Sequence, residues 1–424
     1  MAVQLHIDEL TSTGEGLARL DGRVVFVAGG VPGDVVLAEL FEEKERSARA
    51  RIVRVESASP DRVEPACAHA RDCGGCSWLH VSAEAQARAK EQILRGALER
   101  IGGVDLAGAT LNPIIRSPKP LGYRRRATLH LAGGRLGYRA AASHALVEVE
   151  GCPQLDQRLE QAIPRLRAAL ESEGAPAKCT DVALACDDRR VTASFAVAAA
   201  AKTTLERVRK LMERARLDGA VLVVEGQRGQ PLGEALLSWP APHAEGVKAY
   251  GRADLFAQAN PAGNVLLVGE AMRMLGEGRE SLLELYSGAG NFSFAAARKV
   301  KAATCVESSP DAVELARRSA REAKVEHVRF IQGDSLKSAE ALAREGQRFD
   351  ALLLDPPRAG AKGIAKVAVQ VGAKRIVYVS CDPATLARDV KDLQSSGYRL
   401  IEVTPVDMFP QTFHLETVAL LERR

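Results

Sequence analysis

This sequence of 424 residues lacks several features that would assign it to other classes of protein. No apolar run approaches the roughly 20 residues needed to span a membrane. The first ten residues, MAVQLHIDEL, lack the basic and apolar regions of a secretory signal peptide. A large excess of charge of one sign is also lacking, since 58 basic and 54 acidic residues leave a net charge of +4. We therefore expect a cytoplasmic protein without membrane contact. Thiols stay reduced in the cytoplasm, so the eight cysteines need an explanation other than disulfide bonds.

The first 60 residues alternate between apolar and polar positions and are broken by glycine turns, which predicts a small β-barrel. The predicted strands are 3–8, 24–28, 34–43 and 50–56. The stretch HIDELTSTGEGLARLDGRVVFVAGGVPGDVVLAEL resembles a TRAM domain, a relative of the oligonucleotide-binding fold that docks RNA. Ten acids against seven bases in this segment argue against a broad basic RNA-binding face. A purely structural barrel is the alternative.

Four cysteines follow a pattern typical of metal sites. Cys67, Cys73 and Cys76 form C-x5-C-G-G-C, and Cys152 arrives far downstream in Gly-Cys-Pro. Four thiolates in this arrangement can hold either a zinc ion or an iron–sulfur cluster. The spacing alone does not choose between the two.

The excess positive charge lies in residues 86–139, where eleven bases stand against three acids. A helix near 82–102, which can pack on the catalytic domain, is followed by LGYRRRATLHL on a predicted strand. This charge favours contact with RNA phosphates, and Arg124 and Arg126 are the candidates. Alternation along a strand divides its arginines between two faces, so at least one can pair internally, and a solvated basic face is the alternative. Residues 154–250 predict a small α+β module.

From residue 251 onward, strand and helix patterns alternate, which predicts a parallel sheet with helices on both faces. Strand 281–286 leads into the glycine turn SGAGNF, which lacks the third glycine of the dinucleotide fingerprint. This favours a cofactor without a pyrophosphate over the alternative, an NAD-dependent dehydrogenase. Glu307 ends the next strand and can accept both ribose hydroxyls. Asp334 follows the strand after that, near the expected adenine. S-adenosylmethionine fits these positions.

A cysteine ends the apolar run 375–379 and is followed by Asp-Pro. This pattern predicts a parallel strand that presents the Cys381 thiol at the edge where ligands bind. The thiol is a candidate nucleophile, and a buried core cysteine is the alternative. Strand 351–354 ends in DPPR. Enzymes that methylate exocyclic amines usually carry an aromatic residue after the two prolines, so Arg358 argues against that reaction.

The motifs SCDPATLARD and FPQTFHLETVALLER resemble those of the S-adenosylmethionine-dependent RNA uracil-5-methyltransferases, and the resemblance extends over the whole chain. The four-cysteine pattern resembles the iron–sulfur members that act on 23S ribosomal RNA. The bacterial branch that acts on tRNA usually lacks both the cluster and the TRAM domain. The resemblance therefore implies a [4Fe–4S] cluster on Cys67, Cys73, Cys76 and Cys152, and a 23S rRNA substrate with tRNA as the alternative. We expect a structural or RNA-folding role for the cluster.

The resemblance also implies roles for individual residues. Cys381 adds to uracil C6 as a thiolate, for which we expect a lowered pKa. Glu416 removes the C5 proton as general base, Asp355 orients the uracil beside the cofactor, and Arg358 contacts the RNA. The implied cofactor-binding residues are Gln258, Tyr286, Gly288, Asn291, Glu307, Asp334 and Asp355. Tyr286 stands where the family often has phenylalanine, and Asp334 stands at a variable position.

Together these interpretations predict a monomer with three domains. They are a TRAM barrel (1–60), a central α+β domain carrying the iron–sulfur site (61–250) and a Rossmann-like α/β methyltransferase domain (251–424). Methylation of cytosine C5 would use the same thiol addition and is one alternative activity. A non-catalytic protein that binds or remodels RNA is the other.

Overall fold

The computed structural model describes residues 2–141 and 143–423. Their strands form a closed barrel at the N-terminus, a mixed sheet in the middle of the chain with a small hairpin beside it, and a largely parallel sheet at the C-terminus. Within these residues, no helix has the length and apolar character needed to cross a membrane.

The barrel is closed by strands that run through the first 57 residues. These are β1 (Ala2–Leu10), β2 (Gly16–Leu20), β3 (Arg23–Ala28), β4 (Val35–Glu43) and β5 (Ser47–Ser57). They follow the order β1-β2-β3-β5-β4, and β4 pairs back onto β1. Alternate side chains such as Leu5 and Ile7 fill the interior. The predicted barrel is thus confirmed, although the sequence pattern missed β2, a short strand between two turns.

The middle of the chain supplies mixed α and β elements. They are α1 (Ala83–Arg100), β6 (Thr110–Leu111), β7 (Arg126–Ala132), β8 (Arg135–Arg139), β9 (Leu146–Glu148), α2 (Gln157–Glu173), β10 (Cys179–Cys186), β11 (Val191–Val197), α3 (Thr204–Arg214), β12 (Gly219–Val224), β13 (Gln230–Gly233), β14 (Leu237–Pro240) and β15 (Lys248–Gly251). One sheet runs in the order β13-β12-β11-β10-β7-β8-β9, while β14 and β15 pair separately. Helices α2 and α3 pack on this sheet over an apolar core. Helix α1 packs instead against the C-terminal part of the chain.

The C-terminal part alternates helix and strand as predicted. Its elements are α4 (Pro261–Leu275), β16 (Arg279–Leu285), α5 (Ser293–Ala297), β17 (Val300–Glu307), α6 (Pro310–Glu322), β18 (Val328–Gln332), α7 (Ser335–Arg344), β19 (Ala351–Leu354), α8 (Ile364–Gln370), β20 (Arg375–Ser380), α9 (Pro383–Ser395), β21 (Tyr398–Val406) and β22 (Glu416–Arg423). The sheet order is β18-β17-β16-β19-β20-β22-β21-β6. Strands β16 to β20 are parallel and β22 is antiparallel. The strand order reverses between β16 and β19, which is where ligands bind in such sheets.

The last strand of this sheet comes from the middle of the chain. Strand β6 pairs in parallel with Glu402 and Val403 of β21. Helix α1 lies nearby and packs on α9. Two apolar clusters cover the two faces of the sheet, and the second includes Leu94 and Leu98 of α1.

Candidate active site

Three side chains that can take part in a reaction converge at the carboxyl edge of the parallel sheet. Asp355 follows β19, and Cys381 follows β20. Strand β22 runs in the opposite direction beside β20, with Thr417 paired to Ser380, so its first residue, Glu416, lies next to Cys381. The fold therefore brings together the nucleophile and the two carboxyl groups that the sequence predicted.

Both carboxyl groups are held where ionisation is costly. Glu416 is only 4% exposed. Burial, together with the nearby Asp355, raises the pKa of Glu416 well above its ordinary value. Burial also raises the pKa of Asp355 to about 7. The Oε2 atom of Glu416 has no hydrogen-bond partner among the described residues. These carboxyl groups are thus poised to accept or hold a proton near neutral pH.

The prediction of a lowered pKa for Cys381 is wrong for the protein without RNA. Burial raises the pKa of this thiol to about 12, and the carboxyl groups of Glu416 and Asp355 act in the same direction. The Arg358 guanidinium opposes them, because a positive charge stabilises a thiolate. The resting form is therefore the neutral thiol.

Arg358, which is exposed, lies near Cys381 and contacts His414. The Arg358 Nη2 atom lies 3.1 Å from Nε2 of the His414 ring. Burial lowers the pKa of His414 to about 4, and the charge of Arg358 adds to this effect. The imidazole is therefore neutral near pH 7 and can accept a hydrogen bond from the guanidinium.

The glycine turn after β16 has the backbone expected of a cofactor loop. Tyr286 adopts a positive φ of 62°, which is unusual for a residue with a side chain. Gly290 has φ 93°, and a Cβ added there would lie 2.6 Å from the Phe294 ring. The Gly288 N–H donates to Glu307 Oε2 at 2.9 Å. This hydrogen bond therefore links the loop directly to the carboxylate at the end of β17.

Several of the other predicted cofactor residues have hydrogen-bond partners of their own. The side-chain amides of Asn291 and Asn264 bond to each other in both directions, at 2.7 and 3.0 Å. Asp334 caps α7 by accepting from the Lys337 N–H at 2.9 Å. Gln258 is partly buried just before α4. Asp334 has a structural role that the sequence prediction did not include.

The four predicted metal-binding cysteines line a single cavity with Arg124, Tyr138 and Gln154. Burial raises the pKa of Cys76 to about 12, with a further contribution from Cys152, so these thiols are close enough to influence one another. Among residues 2–141 and 143–423, however, no three His, Cys, Asp or Glu side chains are arranged to hold a single metal ion. The four thiols therefore line one cavity without converging on a single point.

The basic strand is more internal than predicted. The Arg126 guanidinium donates to the backbone carbonyls of Arg252 and Ala253, at 3.2 and 2.9 Å. Arg124 faces the cysteine cavity and stacks 5.5 Å from the centre of the Phe409 ring. Neither geometry favours the RNA contact that the sequence suggested, because the guanidinium groups already have protein partners.

Sequence reasoning missed a buried ion pair behind the site. Lys90 of α1 is fully buried, and its Nζ donates to Asp407 Oδ1 at 2.6 Å and to the Phe409 carbonyl at 3.2 Å. No local sequence pattern signals this pair, since Lys90 stands among many solvent-facing bases. The pair joins α1 to the segment that leads to Glu416.

The glycine loop, the acid at the end of β17 and the thiol at the end of β20 define an S-adenosylmethionine-dependent methyltransferase. Comparison with known proteins agrees with this class. Residues 248–424 match the family model described as tRNA (Uracil-5-)-methyltransferase, and residues 3–53 match the TRAM domain. The chain belongs to the RNA uracil-5-methyltransferase family, an enzyme family that uses S-adenosylmethionine, which confirms the resemblance seen in the sequence.

Individual relatives cover almost the whole chain. The chain is 34% identical to the 23S rRNA (uracil(1939)-C(5))-methyltransferase RlmD of Vibrio cholerae over 426 residues, covering 99% of this chain and 95% of that protein. It is 36% identical to the protein of the same name from Edwardsiella ictaluri, covering 98% and 94%. The crystal structure of Pyrococcus abyssi tRNA (uracil-54, C5)-methyltransferase, in complex with S-adenosyl-L-homocysteine, matches with a TM-score of 0.74 and 25% identity. That match covers 99% of this chain and 100% of the other.

Proposed function

We propose that this enzyme transfers the methyl group of S-adenosylmethionine to C5 of a uridine in 23S ribosomal RNA. The observation that carries the proposal is the convergence of Cys381, Asp355 and Glu416 at one edge of the sheet. The full-length similarity to proteins named for 23S rRNA supports the substrate. A ribosomal RNA substrate would also place the reaction in the cytoplasm.

Uracil C5 is a poor nucleophile until a thiolate adds to C6. We assign this addition to Cys381, which forms the S–C6 bond while electron density moves to C5 and O4. The thiol must first lose its proton, and we assign that proton to the neighbouring carboxylate of Asp355, which leaves the Glu416 carboxylate free for the C5 proton. The proton on Asp355 returns to the Cys381 thiolate when the C6–S bond breaks. Arg358 favours the thiolate through its charge.

S-adenosylmethionine supplies an electrophilic methyl group to the nucleophilic C5. Glu307, at the end of β17, is the proposed acceptor of hydrogen bonds from its ribose, and the turn Gly288–Gly290 allows close backbone approach. Gln258, Tyr286, Asn291, Asp334 and Asp355 are the other proposed contacts. The position of Tyr286, Asn291, Asp334 and Asp355 after strands of the sheet supports this assignment.

Glu416 is the proposed general base for the last step. The C5 proton passes to its carboxylate, the C5–H electron pair forms the C5–C6 double bond, and the bond from C6 to Cys381 breaks. A carboxylate whose pKa is raised by burial is a stronger base than one in water. Its unpartnered Oε2 atom is free for this proton.

The cysteines Cys67, Cys73, Cys76 and Cys152 are proposed to hold a [4Fe–4S] cluster. A zinc ion needs four sulfurs about 2.3 Å from one point, whereas a cluster is a larger body with thiolates at its corners. The four thiols line one cavity, and the family resemblance favours the cluster over zinc. The cluster's proposed role remains structural or RNA-folding.

RNA would bind across the three proposed domains, 1–60, 61–250 and 251–424. The target base must leave its stack to reach Cys381 at the edge of the sheet, which favours a single-stranded loop. Of the predicted RNA contacts, Arg358 is the one we favour, because its charge acts on the Cys381 thiol. Arg124 and Arg126 remain weaker proposals. The enzyme is proposed to act as a monomer.

Transfer RNA is the second candidate substrate, favoured by the similarity to the Pyrococcus abyssi structure. To decide, purified protein and labelled S-adenosylmethionine would be incubated with unmodified 23S rRNA or with tRNA, and the digested RNA examined for 5-methyluridine. The Cys381→Ala variant serves as the control. We expect product on 23S rRNA from the unaltered enzyme alone. Product on tRNA alone would overturn the substrate, 5-methylcytidine would overturn the base, and no product would favour a non-catalytic RNA-binding protein.

A further inference from the structure

The segment 407–415, here termed the catalytic loop, connects β21 to Glu416 at the start of β22. It contains His414, which contacts Arg358. Its central residue, Gln411, has a φ of 70°, a conformation that favours glycine over a residue with a side chain. Such a backbone persists only where surrounding contacts hold it. Gln411 has several hydrogen-bond partners from outside the loop.

Those partners come from Gln86 of α1 and from Trp78 just before it. The Gln411 N–H donates to Gln86 Oε1 at 2.9 Å, and Gln86 Nε2 donates to Gln411 Oε1 at 3.0 Å. The Trp78 N–H donates to the Gln411 carbonyl at 3.0 Å. Gln86 is 2% exposed, and its Nε2 also donates to the carbonyls of Trp78 and Val81. One buried amide thus fixes both the backbone and the side chain of the strained residue.

Other residues between positions 77 and 123 also hold the catalytic loop. The Phe413 N–H donates to Ser77 Oγ at 3.2 Å, and the Tyr123 hydroxyl donates to the Pro410 carbonyl at 3.1 Å. The buried Lys90 bonds to Asp407 at the start of the loop. The catalytic loop is therefore anchored to the middle of the chain along its length, with Gln86 at its strained centre.

We propose that Gln86 is a positioning residue for Glu416, acting through Gln411 and the catalytic loop. This inference rests on the proposed function. Glu416 is needed to remove the C5 proton, after Cys381 has bonded to C6 and C5 has received the methyl group. Releasing the loop should therefore slow proton loss more than methyl transfer. The intermediate with its intact bond from Cys381 to C6 would then accumulate.

The test compares Gln86→Ala with Gln92→Ala, the same change at an exposed position of the same helix. Single-turnover reactions would use RNA tritiated at uracil C5 and S-adenosylmethionine with a labelled methyl group. Tritium release reports proton loss, methyl label in RNA reports methyl transfer, and a denaturing gel reports the covalent RNA–protein complex. For Gln86→Ala we expect tritium release at least tenfold slower, methyl transfer within about threefold of the unaltered enzyme, and accumulated complex.

Equal slowing of both steps would overturn the inference, and so would rates matching those of Gln92→Ala. If the unaltered enzyme neither methylates nor releases tritium, the proposed function fails instead. Should Gln86→Ala not fold, Gln411→Gly decides, because glycine adopts the positive φ without strain but loses the side-chain bond. The same separation of the two steps is expected for that variant, and its absence would count against the positioning role.

Discussion

Alkylation of Cys381 by iodoacetamide should speed up by up to about tenfold for each pH unit between 6 and 9, without reaching a plateau. A pKa of about 12 leaves roughly one thiol in 10,000 ionised at pH 8. A thiol at the ordinary value of 9.0 would be about one-tenth ionised, so the thiolate fraction differs about a thousandfold. More basic thiolates are better nucleophiles, by a factor of roughly 15 to 30 for this difference. The net rate at pH 8 should be roughly 30- to 60-fold below that of the reference thiol.

The measurement is timed alkylation of the native protein without RNA, followed by mass spectrometry of the peptide that contains Cys381. The slope against pH is diagnostic, because limited access to a buried thiol slows the reaction equally at every pH. Arg358→Met removes the charge that opposes the pKa shift and should slow alkylation further, whereas Arg344→Met, at an exposed helix end, should not. A plateau below pH 8, or faster alkylation in Arg358→Met, would refute the reasoning.

Three further predictions concern the supports of the site. Lys90→Met leaves Asp407 buried without its partner and should lower the free energy of unfolding by about 3–5 kcal/mol, measured by urea denaturation. The exposed Lys391→Met should change it by less than about 0.5 kcal/mol, and equal effects would contradict the buried pair. Gly290→Ala should weaken S-adenosylmethionine binding at least tenfold in calorimetry, since the added Cβ clashes and φ is positive; unchanged affinity would show that the loop can shift. Glu307→Gln should weaken the same binding by roughly ten- to a hundredfold, the range for a charged hydrogen bond, and a KM altered for RNA alone would argue against the ribose contact.

The sequence was most informative where a residue type follows a buried strand. Cys381, Asp355 and Glu307 each stand at a strand end, and parallel strands bring such ends to one edge. The pattern therefore predicted both the α/β sheet and the common edge at which these residues lie. The same reasoning predicted the barrel, because period-two alternation and glycine turns are local signals.

Properties that depend on three-dimensional surroundings were not predictable in this way. The direction of the pKa shift at Cys381 depends on its burial and on Glu416, which lies on a neighbouring antiparallel strand. Arg126 belongs to a basic run, yet backbone carbonyls from a distant segment occupy its guanidinium. The bonds between Gln86 and Gln411 join residues far apart in sequence, and a lone glutamine carries no local signal of its partner.

Strand β6 has a consequence for how far the catalytic sheet can be separated from the rest of the chain. It covers the open edge of β21, and an uncovered strand edge is a template for pairing with another molecule. A fragment starting at residue 251 would retain the cofactor loop, Cys381 and Glu416 but lose β6 and α1. Such a fragment should self-associate, because the catalytic sheet takes one of its strands from outside the stretch of residues that matches the family.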